Sequence, residues 1–393
     1  MTQEIRKIGL VCAHPFSKRG GVQRHVTALY HEFKALGLEV KIIAPGRGRP
    51  DGVPLEDVIN IGVSVSINVN GSRGHANASL NLKRVPQILK EEEFAILHFH
   101  NMDVGLLSGQ FLRASGAVNI GTFHGSLDGS RAVRWFPFLP KLIYRVLYRR
   151  PMDGGIAVSE AAMDTLQKFP GLKTIIPNGV DHARFRPDVP LLEREEFRDG
   201  KTNILFVGRF EKRKGVSYLL RAYRELAKRR SDIRLILVGE SGFVSCLKAK
   251  WFVRWHGLGE RVWFEGKVSD DLLPSYYATA HVFCAPSVSG ESFGMVLLEA
   301  MRCGTPAVGF GNPGYRGVMS QDWNKNDGFT LESLLVNPKD WRALAAKIEE
   351  LLDNPALYEK ARARGLALCN RFAWGPIAEN ILAFYKNVMA EKL

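Results

Sequence analysis

The sequence predicts an α/β protein with two Rossmann-like domains, each built on a doubly wound parallel sheet. Short β-branched runs alternate with helical patterns almost throughout the chain, which favours parallel strands with helices on both faces. The length of 393 residues is long for a single core, so two domains are expected. With 46% hydrophobic and 24% charged residues, the composition is that of an ordinary globular protein.

The strand-like runs fall into two sets. In the first half, the predicted strands cover residues 8–13, 40–44, 96–99, 118–123, 155–158 and 173–176. In the second half, they cover residues 203–207, 234–238, 262–264, 282–285 and 307–310. Beyond these two α/β halves, the sequence shows no sign of a further repeat.

A polar, turn-rich stretch at residues 187–201 separates the two sets of strands. We therefore predict an N-terminal domain at residues 1–185 and a C-terminal domain at 186–372. If the carboxyl ends of both sets of strands face a shared central cleft, ligand loops would lie at the topological switch points.

The net charge of the chain limits the classes of partner that it is expected to bind. A net charge of +14 and a pI near 9.6 imply anionic partners, which are nucleic acid, anionic lipid or phosphorylated substrates. Zinc-finger and RNA-binding signatures are missing, so nucleic acid is not expected. The sequence has no apolar run long enough for a membrane span and no cleavage-site pattern. Its five scattered cysteines favour reduced thiols in a cytoplasm.

Two glutamates stand out because of their positions. Glu291 occupies a glycine-flanked turn, and Glu299 lies in an apolar run that reads as a buried helix closed by Gly304 and Pro306. Because burying an unpaired carboxylate is costly, the pair suggests acceptors for a ligand rich in hydroxyl groups. The spacing alone equally fits a first-turn charge on the helix dipole and a salt-bridge partner.

Two loops follow strands and have the composition of phosphate sites. Gly20 and Gly21 open a helical pattern, where free backbone N–H groups meet phosphate, although most such pairs are simply turns. The basic turn at residues 209–215 follows a central strand of the second half. A solvated basic turn is the ordinary interpretation of such a run, and it is adopted for Lys212 and Arg213.

Histidines at strand ends offer a further candidate. His124 closes a strand, a position that is more often structural than catalytic. His98 and His100 share a strand face and raise the question of a metal ion, but the sequence shows no third ligand at suitable spacing. We therefore predict no metal site.

The segment 131–150 carries six basic residues, no acids and five aromatic residues. Its apolar positions form one helical face, which is typical of a helix at a lipid interface, although any helix that covers a sheet also needs such a face. We predict membrane-surface contact, and hence a cytoplasmic protein peripheral at the inner face of the membrane. The residues concerned are Arg131, Arg134, Trp135, Phe136, Lys141, Arg145, Arg149 and Arg150.

Taken together and in order, the motifs of the chain resemble those of family 4 glycosyltransferases. They are Gly20-Gly21-Val22-Gln23, Thr122-Phe123-His124, Ile156-Ala157-Val158-Ser159, Pro177-Asn178-Gly179-Val180-Asp181, Gly208-Arg209 through Lys214-Gly215, and Glu291 through Glu299. Within the family, the chain is most similar to the phosphatidylinositol mannosyltransferases. The resemblance implies a GT-B fold, in which a last helix at residues 373–393 crosses back onto the first domain. It also implies that the N-terminal domain binds the acceptor and the C-terminal domain binds a nucleotide-sugar donor.

The resemblance assigns roles to individual residues. It implies that His124, Arg209, Lys214 and Glu291 act in catalysis. It implies donor contacts from Gly20, Gly21, Arg209, Lys214, Val268, Glu291, Ser292, Phe293, Gly294 and Glu299. It implies acceptor contacts from Gln23, Asn70, Ser72, His75 and His124. The asparagine and serine belong to a loop expected between Val65 and a helix starting near Ser79.

The expected activity is transfer of a hexose with retention at the anomeric carbon. The chain has no Asp-x-Asp motif, so fixed cations rather than a metal ion are expected to stabilise the leaving diphosphate. GDP-mannose is favoured as donor over UDP-sugars, with an inositol phosphate or anionic phospholipid as acceptor. Two departures from the family pattern, Val69 for an aromatic residue and His75 for an arginine, leave the acceptor open. One alternative is a UDP-sugar with a soluble or polyprenyl-linked glycan acceptor. The other is a non-catalytic basic module that binds nucleotides or nucleic acid.

Overall fold

The computed structural model describes residues 5–17, 20–69, 72–79, 81, 83–101, 106–125, 152–167, 170–240, 242–322 and 327–392. The chain divides into two compact units. Unit 1 comprises Met1–Gly179 together with Trp374–Leu393, and unit 2 comprises Val180–Ala373. The division at 179/180 falls slightly before the sequence-based boundary at 185/186.

The strands of the described residues, in chain order, are β1 (Lys7–Cys12), β2 (Glu39–Ala44), β3 (Val58–Asn60), β4 (Val63–Val69), β5 (Ser72–Ala78), β6 (Ile96–His100), β7 (Val118–Phe123), β8 (Gly154–Ala157), β9 (Leu172–Ile175), β10 (Thr202–Val207), β11 (Ile233–Val238), β12 (Val262–Gly266), β13 (Val282–Ala285), β14 (Ala307–Phe310) and β15 (Leu335–Val336). The α-helices are α1 (Gly21–Ala35), α2 (Arg84–Glu92), α3 (Leu107–Ala114), α4 (Glu160–Leu166), α5 (Val216–Ala227), α6 (Phe243–Trp255), α7 (Leu273–Thr279), α8 (Met295–Arg302), α9 (Pro313–Met319), α10 (Trp341–Asp353), α11 (Pro355–Cys369) and α12 (Trp374–Lys392).

Unit 1 is built on a seven-stranded sheet in the order β3-β2-β1-β6-β7-β8-β9. All neighbouring strands are parallel. The central strands β6 and β7 are buried along their whole length, and their polar members His98, His100, Asn119 and Thr122 are buried with the apolar ones. The carboxyl ends of these two strands bring His100 and His124 side by side.

The C-terminal helix α12 belongs to unit 1 and packs into its core. Its first residue, Trp374, covers Gly179 so closely that a Cβ there would lie 2.4 Å from the indole Cδ2. Further along, the fully buried Tyr385 packs edge-on against Phe33 of α1, with ring centroids 6.0 Å apart. The helix therefore completes the sheet's covering layer.

The prediction of a loop between Val65 and Ser79 is wrong, because the backbone there forms two paired strands. Strands β4 and β5 pair antiparallel through this region, from Val63 opposite Ala78 to Val69 opposite Ser72. The expected helix begins only at Arg84. An Asn-Gly pair between two strand-like runs is a strong hairpin signal, and the alternation of valine or isoleucine with polar residues over 63–69 supports it.

Unit 2 contains a six-stranded parallel sheet in the order β12-β11-β10-β13-β14-β15. Strand β11 is buried at every position, and β10 lies next to it in the middle of the sheet. Each strand predicted from the sequence corresponds to an observed strand, and the fold class of two Rossmann-like parallel-sheet units is confirmed. The strands that prediction missed are β15, with two residues, β3, with three, and the hairpin.

Candidate active site

Glu291 is the focus of the candidate site in unit 2. It lies between β13 and α8, directly after Gly290, whose φ of +71° makes the turn. Its Oε1 atom lies 2.7 Å from Nζ of Lys214 and 2.8 Å from Nη1 of Arg213. Only 13% of the Glu291 side chain is exposed, so both ion pairs are largely shielded from water.

The electrostatic surroundings keep Glu291 ionised. Burial raises its pKa, but the charges of Lys214 and Arg213 act in the opposite direction, assisted by hydrogen bonds from Lys214 and Ser287. The net effect lowers the pKa below its ordinary value. At neutral pH, Glu291 is therefore a hydrogen-bond acceptor held in place, and it has no proton to donate.

The basic turn is locked against the segment that leads to Glu291. Residues Lys212–Lys214 form one 3₁₀ turn that ends at Gly215, where φ is +74°. A Cβ atom at Gly215 would lie 1.9 Å from the carbonyl oxygen of Pro286, and the N–H of Val288 donates to Arg213 O at 2.8 Å. Only glycine allows this approach, which places Lys214 beside the carboxylate.

The interpretation of Arg213 as solvated is wrong. Its guanidinium donates from Nε to Glu211 at 2.8 Å and from Nη1 to Glu291 at 2.8 Å, so it bridges two carboxylates. Arg209 pairs with the other oxygen of Glu211 at 2.9 Å and remains 40% exposed. We call these four residues, together with Lys214, the charge cluster. Its three cations exceed its two carboxylates, which suits an anionic ligand.

Glu299 lies on the inner side of α8 and is 3% exposed. The hydroxyl of Tyr277 on α7 donates to its Oε2 at 2.9 Å. Sequence reasoning had identified the carboxylate but not this partner, because only the fold brings α7 and α8 together.

The other donor-contact candidates lie around the start of α8 and after β12. Gly294 is the N-cap of α8 and has a φ of 147°, so Ser292, Phe293 and Gly294 form its entrance. The Phe293 side chain is buried against Phe372, with centroids 5.7 Å apart, which leaves only its backbone for a ligand. Val268 follows β12 and is half-buried.

A supporting layer beneath Glu291 was missed from the sequence. Asn312 caps α9 by accepting from Tyr315 N at 3.0 Å and donates to Ser287 O at 3.0 Å. The Tyr315 hydroxyl lies 3.2 Å from Ser287 Oγ. A Cβ at Gly314 would lie 2.3 Å from Glu291 O. The Asn312-Pro313 pair, a helix-start signal, was the only sequence clue, and no site had been predicted in 309–329.

In unit 1, four histidines form a group that we call the histidine cluster: the buried His25 of α1, the buried His98 and His100 of β6, and the half-buried His124 after β7. His100 Nδ1 lies 3.2 Å from His124 Nε2. The His25 ring meets the His124 ring edge-on at 4.6 Å. Asn178 hydrogen-bonds to both His25 and His124. His124 therefore has a fixed orientation that no local sequence pattern revealed.

Burial keeps this cluster neutral. Desolvation lowers the pKa of His25 to about 4, and the hydrogen bond that its Nδ1 makes to Oδ1 of Asn178 offsets this only in part. The pKa values of His98, His100 and His124 also lie well below the ordinary value, first through burial and then through the neighbouring histidines. A neutral His124 can form hydrogen bonds but supplies no positive charge to the site.

The structure changes which histidines are candidate ligands for a metal ion. His98 is engaged on both ring nitrogens, by Thr122 Oγ1 and by the Tyr385 hydroxyl, each at 2.6 Å. Among the described residues, the group with ligand geometry is instead His25, His100 and His124, whose candidate ligand atoms lie within 4.8 Å of one another. The prediction of a metal-free site stays a prediction.

The remaining candidates in unit 1 are placed only in part. Gly20 is the N-cap of α1, in extended conformation, and Gly21 is its first residue. Gln23 is 8% exposed and donates from Nε2 to Pro15 O at 3.3 Å. The acceptor candidates Ser72 and His75 lie on β5.

Other predicted contacts lie outside the described residues. Asn70 is one of them, and so are the membrane-contact residues Arg131, Arg134, Trp135, Phe136, Lys141, Arg145, Arg149 and Arg150. Within the described part of the chain, no helix is both long and apolar enough to cross a membrane.

Two Rossmann-like parallel-sheet units, one of them with the charge cluster after a central strand, are the architecture of the GT-B fold class. A solved structure supports the fold: the Anabaena protein Alr3699/HepE in complex with UDP has a TM-score of 0.74, with 18% identity over 97% of this chain and 100% of that chain. The family description "Glycosyltransferase Family 4" matches residues 19–184, and "Glycosyl transferases group 1" matches residues 191–367.

Two relatives that match over nearly the whole chain indicate the family to which it belongs. The chain is 33% identical to the phosphatidyl-myo-inositol mannosyltransferase of Mycobacterium leprae, over 97% of both chains. It is 32% identical to the enzyme of the same name from Mycolicibacterium smegmatis, over 97% of this chain and 94% of the relative. The chain belongs to the family 4 glycosyltransferases and is a hexosyltransferase.

Proposed function

We propose that this enzyme transfers mannose from GDP-mannose to the inositol headgroup of a phosphatidylinositol-type lipid at a membrane surface, with retention and without a metal ion. Similarity over nearly the whole length to phosphatidyl-myo-inositol mannosyltransferases supports the substrates. The observation that carries the chemistry is the ionised Glu291 held against Lys214 at 2.7 Å. It puts an acceptor for sugar hydroxyls next to a cation for phosphate.

The charge cluster accounts for departure of the nucleotide. Lys214 and Arg209 are the cations proposed to hold the diphosphate, whose negative charge grows as the glycosidic bond breaks. In the free enzyme, these cations pair with Glu291 and Glu211. The diphosphate then replaces carboxylate partners with phosphate oxygens and leaves Glu291 able to accept hydroxyls of the sugar. Glu299 is proposed to hold the ribose.

Glu291 is proposed to bind the sugar and not to attack it. With Lys214 on the diphosphate, Arg213 still pairs with this carboxylate at 2.8 Å, and its oxygens accept sugar hydroxyls. Retention then comes from same-face attack by the acceptor hydroxyl on an oxocarbenium-like centre. The departing phosphate accepts the acceptor's proton. His124, neutral and held by His100, orients the sugar by hydrogen bonding.

The acceptor is proposed to meet Gln23, Asn70, Ser72 and His75, with Gly20 and Gly21 at the helix start that faces phosphate. Histidine at position 75 carries its charge only toward acid pH, unlike an arginine. This departure, together with Val69 in place of an aromatic residue, favours a second candidate function. In it the transfer chemistry is the same, but the donor is a UDP-sugar and the acceptor is a soluble or polyprenyl-linked glycan.

Product analysis tests the proposal. After incubation with GDP-mannose and phosphatidylinositol vesicles, mass spectrometry should show a lipid heavier by one hexose, and NMR should show an α-anomeric linkage. A β-linked product would reject retention. No hexosylated lipid, combined with sugar transfer to a soluble or polyprenyl-linked glycan, would favour the second candidate.

A further inference from the structure

Helix α6 in unit 2 is apolar on two opposite faces. Its inner face contributes Ala249 and Val253, which are 7% and 4% exposed. Its other face leaves large apolar side chains in solvent. We call this set the outer α6 face: Val244 (60% exposed), Leu247 (57%), Trp251 (61%) and Trp255 (71%). The spacing of three, four and four residues puts all of them on one side of the helix.

Packing within the unit does not explain this surface. The inner face is already buried, and Lys250 lies over the ring of Phe264 on β12 at 5.7 Å. Single exposed apolar residues are ordinary, but a contiguous stripe marks an interaction site. The rings of Trp251 and Trp255 stack with centroids 5.3 Å apart and planes 20° apart, which presents them as one flat platform.

The surroundings of the outer α6 face are cationic. Lys248 and Arg254 are exposed on its two flanks, and α6 contains no acidic residue. At the carboxyl end of the helix, a recess is lined by cations from neighbouring elements, including Arg224, Lys228 and Arg261. The Nε of Arg224 is buried and has no hydrogen-bond partner among the described residues.

We propose that the outer α6 face docks onto an anionic phospholipid bilayer. Tryptophan prefers the level of the lipid headgroups because its ring is apolar and its N–H is polar. Flanking lysine and arginine side chains then meet the negative surface. A symmetric contact between two copies of this face would instead oppose Lys248 and Arg254 of one copy to basic residues of the other, so the charge favours the bilayer.

Docking through unit 2 would hold the donor-binding half of the enzyme at the surface that contains the acceptor. That benefit rests on the proposed function, but the docking itself does not. Binding is measured without donor and with phosphatidylglycerol, which is not the proposed acceptor. A failure of docking and a failure of mannosyl transfer are therefore separate results.

The test is co-sedimentation of the full chain with vesicles of phosphatidylcholine containing phosphatidylglycerol, compared with phosphatidylcholine alone. We expect Trp251→Ala/Trp255→Ala and Lys248→Glu/Arg254→Glu each to weaken partitioning into the anionic vesicles about tenfold or more. These positions are exposed, so folding should survive, which circular dichroism checks. The charge-matched control is Lys339→Glu/Arg342→Glu, elsewhere in unit 2, with little expected effect.

A second readout locates the indoles. Vesicles with brominated acyl chains should quench the fluorescence of the natural protein more than that of Trp251→Phe/Trp255→Phe. Equal quenching in both proteins would overturn the proposal. So would unchanged partitioning of both α6 variants, no binding of the natural protein, or a concentration-dependent dimer that the tryptophan substitutions abolish.

Discussion

Acidification should destabilise unit 1 through His25. This side chain is 4% exposed, and its Nε2 has no hydrogen-bond partner within the described chain. Burial lowers its pKa from 6.5 to about 4. Between these values the unfolded chain binds more protons than the folded protein, so stability falls as the pH drops. For His25 alone, linkage gives a loss of about 2 kcal/mol between about pH 7.5 and about pH 5.

The remaining histidines shift in the same direction, so the total loss should exceed this value. Hydrogen exchange of peptides from α1 in urea, corrected for intrinsic exchange rates, reports the opening free energy of unit 1. His25→Gln keeps a partner for Asn178 and should lose about 2 kcal/mol less over the same range. His31→Gln, at an exposed position on the same helix, is the control. Equal pH dependence in His25→Gln and the natural protein would refute the reasoning.

Three further predictions concern the charge cluster and the site around it. Lys214→Ala and Glu291→Gln should each lower turnover by about 10²-fold or more at saturating donor. The control Lys212→Ala, at an exposed position on the same turn, should change turnover little. Normal turnover in Lys214→Ala or in Glu291→Gln would remove that residue from the mechanism. Gly215→Ala should unfold unit 2 at lower urea concentration, because its Cβ would lie 1.9 Å from Pro286 O at a φ of +74°, and an unchanged midpoint would contradict the packing. EDTA should leave turnover intact, and inhibition reversed by a divalent ion would instead implicate the three-histidine group.

The sheets were predictable because parallel strands covered on both sides are mostly apolar and β-branched. β11, with five apolar residues out of six, is an example. β15 was not predictable, because two residues carry no periodicity. The hairpin β4–β5 has a signal in Asn70-Gly71 and in the alternating run before it, but its glycine and asparagine content is equally typical of a loop.

The residues of the candidate site also differ in whether a local sequence signal marks them. Residues with local signals, such as Lys214 after a central strand and Glu291 in a glycine turn, could be identified from the sequence. Arg213 could not, because its ion pair with Glu291 joins segments far apart in the chain. The environment of His124 depends likewise on α1 and on Asn178, which only the folded unit brings together.

Nucleotide release from GDP-mannose, measured in EDTA with and without phosphatidylinositol vesicles, tests the central claim most directly. Release should rise sharply with the lipid and disappear in Lys214→Ala. Slow release that the lipid does not change would contradict the proposed acceptor. No release from GDP-mannose, with release from a UDP-sugar under the same conditions, would contradict the proposed donor.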